Sequence, residues 1–109
     1  VTRTELGKID SVHVGFGGYQ DACFGVTFTI RGKAWGVGDF WGTWAHEPGE
    51  YSKWTTEEQS AIFADTSRRL IELLNKAGKS DVSQLAGIPL EVTFDGTRMV
   101  SWRVLEEVL

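Results

Sequence analysis

The sequence predicts an α+β fold: a single mainly antiparallel five-stranded sheet with one long helix packed on one face, in the order βββ-α-ββ. Three observations carry this. Two stretches of alternating apolar and small residues meet at Arg31-Gly32-Lys33-Ala34. A run of helical periodicity is capped at both ends, by Thr55 and Gly78. A second alternating pair meets at Asp95-Gly96. The 109 residues suit one domain, 1–109, with no internal repeat or low-complexity linker to divide them.

The first strand is expected from Leu6 to Val14, with Val12 and Val14 on one face and Ile9, Ser11 and His13 on the other. Gly15-Phe16-Gly17-Gly18-Tyr19 is expected to break it, because clustered glycines mark a turn. From Cys23 to Arg31, Phe24, Val26, Phe28 and Ile30 alternate with Cys23, Gly25, Thr27 and Thr29. Ala34 to Trp41 follows as the hairpin partner. Gly32-Lys33 suits a two-residue type II′ turn, which pairs Ile30 with Trp35, Phe28 with Val37 and Phe24 with Trp41. Large apolar residues then share one face, with Trp35 and Trp41 as core. The opposite face is smooth, carrying Thr27, Thr29, Gly36, Gly38 and Phe40.

Gly42 to Trp54 reads as a loop turned by Glu47-Pro48-Gly49. Thr55 and Glu58 have the spacing of a capping box, and Gly78 supplies the helix stop. The buried stripe is expected to be Ile62, Phe63, Thr66, Leu70, Leu73, Leu74 and Ala77, with Gln59 on the solvated side. Asp81 to Leu85 reads as one helical turn. In the last hairpin, burial favours a three-residue loop or an equivalent bulge that sets Val100, Trp102 and Val104 on the face of Leu90, Val92 and Phe94.

Composition narrows the function classes. The net charge is −4, and the basic residues are scattered, so nucleic acid is not an expected partner. The single Cys23 excludes an intramolecular disulfide. No apolar stretch is long enough to span a membrane, and the first residues lack the apolar core of a signal peptide, so no membrane partner and a cytosolic location are expected. His13, His46 and Cys23 are not at metal-ligand spacing, and neither a metal nor a cofactor is expected.

Three functional readings remain. Exposed aromatics beside a glycine-flattened surface suit a protein interface, which places partner binding on Thr27, Thr29, Gly36, Gly38, Phe40, Trp44, His46 and Tyr51. The same smooth face is compatible with a homo-oligomer. Alternatively, Phe40 or Trp44 stacks a nucleotide-like ligand whose anionic group meets the amides of Gly17 and Gly18 with Arg31 and Lys33. That glycine cluster is not a dinucleotide fingerprint, since Gln20 stands where a third glycine is needed and a strand follows. A third reading is an enzyme using His46, Glu47 and Asp39 as acid–base groups. Cys23 has no neighbouring base in sequence and reads as a buried, inert thiol.

The segments Gly15-Phe16-Gly17-Gly18-Tyr19-Gln20-Asp21, Gly32-Lys33-x-Trp35-Gly36-Val37-Gly38-Asp39-Phe40, and Glu91-Val92-Thr93-Phe94-Asp95-Gly96 followed by Ser101-Trp102-Arg103-Val104-Leu105 resemble a family of small, functionally unassigned proteins of tailed phages and prophages. The resemblance runs from about Lys8 to Leu109. It implies a phage-encoded protein of the host bacterial cytoplasm. Such accessory proteins often act by binding a host or defence protein, anti-CRISPR inhibition being one form of counter-defence. Non-enzymatic binding is therefore the expected function. The resemblance carries over no catalytic residue, and neither Cys23 nor His46 belongs to its motifs.

Overall fold

The spine of the molecule is a 16-residue strand, β1 (Thr2–Gly17). The computed structural model describes all 109 residues and adds β2 (Cys23–Gly32), β3 (Gly36–Trp44), α1 (Thr56–Ala77), β4 (Pro89–Asp95) and β5 (Arg98–Val104). The sheet is antiparallel throughout, in the spatial order β3-β2-β1-β4-β5, so the expected α+β class and βββ-α-ββ order hold. No helix is long and apolar enough to cross a membrane.

The two hairpins flank different halves of β1. β4 pairs with Thr2–Lys8, whereas β2 pairs with Gly7–Gly17. The outer strands nevertheless meet, because the sheet curls. Trp102 of β5 donates its indole N–H to Asp39 of β3 at 2.7 Å, and its ring stacks on Trp41 with centroids 5.5 Å apart. α1 lies across this seam, contacting β3, β2 and β5. Inside the curl are Ile9, Phe28, Ile30, Leu85, Leu90 and Val92, all fully buried, with Leu73 and Ala77 supplied by the helix.

Several expectations need correction. β1 does not break at Gly15; it continues to Gly17, because Gly15 and Gly17 pair in register with Gly25 and Cys23. Ile9 does not face away from Val12 and Val14. A bulge between Ile9 and Ser11 inserts one residue, Asp10, and brings all three onto the core face. The β2–β3 connection is also longer than expected. Gly32 N–H donates to Trp35 O at 3.0 Å and Arg31 pairs with Gly36, which shifts the ladder by two residues. Ile30 then faces Val37, Phe28 faces Asp39 and Val26 faces Trp41. A shift of two keeps every residue on its expected face. The reason lies in Trp35, whose ring covers Gly32 so closely that a β-carbon there would stand 2.1 Å from the indole. Trp35 leaves the ladder and donates its N–H to Glu5 at 3.2 Å.

A further correction concerns α1. Its capping box and left-handed Gly78 stop are as expected. Gln59, however, is buried, and Ile62 is exposed instead. In the last hairpin the ladder takes the bulged form, between Thr93 and Phe94. Trp102 and Val104 turn inward, Met99 faces Phe94, and Val100 is left exposed.

Candidate functional site

The chain gathers its exposed aromatics at one end of the sheet. There the end of β1, the start of β2 and the end of β3 lie side by side, as Gly17 pairs with Cys23 and Cys23 with Trp44. The loop beyond β3 is tied back by Ala45 N–H, which donates to Ala22 O at 2.9 Å. Gln59 in the first turn of α1 then donates its amide to Trp44 O at 2.5 Å and His46 O at 2.9 Å. This explains its burial: a polar side chain is accommodated inside when it satisfies backbone carbonyls that would otherwise lack donors.

On this frame the rings form a chain. Tyr19 meets Trp44 edge-on at 6.5 Å, Trp44 lies 5.8 Å from His46, and His46 lies 5.4 Å from Trp54. Tyr19 is 70% and Tyr51 90% exposed, while Trp44 and Trp54 are half-buried. The same end carries the charge. Asp21, Glu47, Glu50, Glu57 and Glu58 are all exposed, and none of the five forms a salt bridge. Lys53 is the one basic residue among them. The rest of the chain holds ten acidic and ten basic side chains, so the net charge of −4 belongs to this end.

The expected partner-binding residues separate into two groups. Trp44, His46 and Tyr51 belong to the aromatic end. Thr27, Thr29, Gly36, Gly38 and Phe40 lie on the face of the sheet away from α1. Phe40 was expected to project there as an anchor. Its ring instead lies down over glycines, so that a β-carbon at Gly17 or Gly42 would stand 3.3 or 2.9 Å from it. It is half-buried, and the smooth strip has no projecting aromatic.

The residues expected to hold a ligand do not converge. Gly17 and Gly18 sit at the end of β1, beside the start of β2, and Arg31 and Lys33 at the far end of β2, ~26 Å of extended strand away. Gly17 is in the ladder beside Cys23, so its amide faces β2 rather than a ligand. Arg31 is paired with Asp10 at 3.1 Å.

Asp39 likewise stands apart from His46 and Glu47. It faces the core side of β3, with ~16 Å of extended chain separating it from Trp44. Its carboxylate accepts the indole N–H groups of Trp41 at 3.2 Å and Trp102 at 2.7 Å, and the Phe40 N–H at 3.0 Å. Asp39, Trp41, Arg69 and Trp102 line a cavity of about 370 Å³ beneath α1, with Arg69 4.0 Å above the Trp41 ring. His46 and Glu47 line no cavity with it. Cys23, expected to be buried, is half-buried against Gly18. His13 folds over Gly15 on the outer face.

One surface escaped the sequence reading. Val14, Phe16 and Phe24 lie on the core face of the sheet yet are 47%, 65% and 42% exposed. Val14 and Phe24, with Phe63 and Leu70, bound an apolar groove of about 330 Å³, and Phe16 meets Phe24 edge-on at 5.9 Å. The signal was available in the alternation Val12-Val14-Phe16, which continues through Gly15. Comparison with protein-family models, curated proteins and solved structures finds no match to this chain.

Proposed function

We propose that the chain is a non-enzymatic binding protein that docks its aromatic, acidic end onto a basic surface of another protein. The observation that carries this reading is the coincidence of the ring chain Tyr19–Trp44–His46–Trp54 with five carboxylates outside any salt bridge on one end. Half-exposed aromatics supply contact area at low entropic cost, and tyrosine and tryptophan dominate interface hot spots. An unbalanced rim of one sign speeds encounter with the opposite sign and rejects like-charged surfaces. Nucleic acid and anionic membrane are disfavoured at this end on the same grounds.

The resemblance to phage-encoded proteins supports a host or defence protein of the bacterium as the partner, with counter-defence inhibition of the anti-CRISPR kind as the role. The nucleotide-like sponge and the acid–base enzyme draw less support, since Gly17 and Gly18 stand far from Arg31 and Lys33, and Asp39 is engaged by two indoles.

The test is affinity capture from bacterial lysate with the unmodified chain and with Tyr19→Ala/Tyr51→Ala. Both tyrosines are exposed, so truncation should cost no more than about 0.5 kcal/mol at Tyr51 and about 1 kcal/mol at Tyr19, which also loses its edge contact with Trp44. A stoichiometric partner captured by the unmodified chain and lost from the folded double variant is expected. A partner retained undiminished by that variant would remove the aromatic end from the account.

A further inference from the structure

Beside the second half of β1 the sheet has an empty lane. β4 begins at Pro89 opposite Lys8, and Ile9 is the last residue of β1 bonded on that side, exchanging hydrogen bonds with Gly87 and Ile88. From Ser11 to Gly17, β1 pairs with β2 alone.

The ladder decides which backbone groups face the lane. Gly32 N–H donates to Trp35 O, and Ala45 N–H to Ala22 O, so even-numbered residues of this segment bond toward β3. The odd-numbered residues of β2 therefore bond toward β1, where their partners are Ser11, His13, Gly15 and Gly17. Val12, Val14 and Phe16 consequently direct their N–H and C=O groups into the lane. Their side chains fall on the core face, beside the apolar groove bounded by Phe24, Phe63 and Leu70. A long, apolar edge of this kind is a template for pairing with another strand.

We propose that a second copy of the chain occupies the lane, its β1 pairing antiparallel with β1 about a two-fold axis at Val14. This goes beyond the binding role of the aromatic end and uses a different surface. The edge is complementary to itself: Val14 would face Val14 of the second copy, and Val12 would face Phe16. Every outward N–H then finds a carbonyl, and both helices lie on the same side of one continuous sheet. The two apolar grooves adjoin across the seam. The charge distribution agrees, because antiparallel pairing sends the two acidic ends to opposite ends of the seam. A two-fold contact also closes on itself rather than propagating.

Sedimentation velocity and cross-linking of the full chain test this. The expected species has twice the 12.1 kDa chain mass, with a dissociation constant on the order of 10 µM or tighter. Phe16→Lys places a charge in the seam at a 65% exposed position and should weaken association at least ~10-fold, with the melting temperature of the dilute, dissociated chain unchanged. In a Cys23→Ser background, Val14→Cys should form a disulfide-linked dimer, since facing residues of a hydrogen-bonded pair stand ~5.5 Å apart at Cα, within disulfide range. Thr29→Cys, on the outer face, should not. If Phe16→Lys fails to fold, the paired cysteine variants decide the matter. A monomer at about 100 µM would overturn the proposal. So would an open-ended polymer, or a dimer that cross-links as readily through Thr29→Cys as through Val14→Cys.

Discussion

Asp39 joins the two outer strands of the sheet, which share no backbone ladder. Its carboxylate takes an indole N–H from Trp41 in its own strand and another from Trp102 in β5. Removing the acceptor strands three part-buried donors, the two indoles and the Phe40 N–H, and loses charge-assisted bonds. Asp39→Ala should therefore cost about 2–3 kcal/mol of unfolding free energy in urea denaturation. A loss below about 0.5 kcal/mol would mean that α1 alone holds the seam. At this scale the sequence was least informative. Asp39 looked like an acid–base candidate because it sits near His46 in the chain, and nothing local announces that its partner is Trp102. Phe40 was misread for a related reason. Alternation gives the face on which a side chain starts, but not whether neighbouring glycines let the ring lie flat on the sheet.

Among the elements, α1 was the most legible. Its caps are short-range chemistry, and Thr55, Glu58 and Gly78 behave as their positions dictate. Gln59 was not legible, because its bonds run to the carbonyls of a loop whose path the sequence leaves open. Gln59→Ala should leave Trp44 O and His46 O without a donor and cost about 1–3 kcal/mol. The loss should appear first as faster amide exchange in residues 45–54. Uniform exchange across the chain would instead place Gln59 in the global core. The strands were legible in type, less so in register. The bulge at Asp10 and the longer loop before Gly36 each change the count without leaving a local signature.

The short turn after α1 gives a pH signature. Ser83 N–H donates to the Asp81 carboxylate at 2.8 Å, which, with the bond to the Ser83 side chain, holds that carboxyl below its ordinary 3.8. A lowered folded value means the group stabilises the turn at neutral pH, and that stability fades as pH falls through and below the ordinary value. Glu107 follows the same sign from its ordinary 4.5, being held down by the Arg103 guanidinium. The Ser83 amide resonance should accordingly titrate with an apparent pKa under 3.8. A midpoint at or above the ordinary carboxylate value would contradict this bond.

For the whole molecule, the α+β class and element order followed from periodicity and caps. The offset of the two hairpins along β1 did not, because it depends on where β4 begins. That offset exposes Val14 and Phe16 and creates the edge proposed to pair with a second copy. The charge asymmetry was present in the sequence all along, but Asp21, Glu47, Glu50, Glu57 and Glu58 lie on three different elements. Only the fold brings them to one end with Tyr19, Trp44 and Tyr51.

The proposed function is tested most directly by the hydrogen-exchange footprint of a partner captured from bacterial lysate. Protection should fall on Tyr19–Asp21 and on residues 44–54, and should weaken as salt screens the acidic end. Protection confined to the outer face at Thr27, Thr29, Gly36 and Gly38, with the aromatic end exchanging as in the free chain, would contradict it.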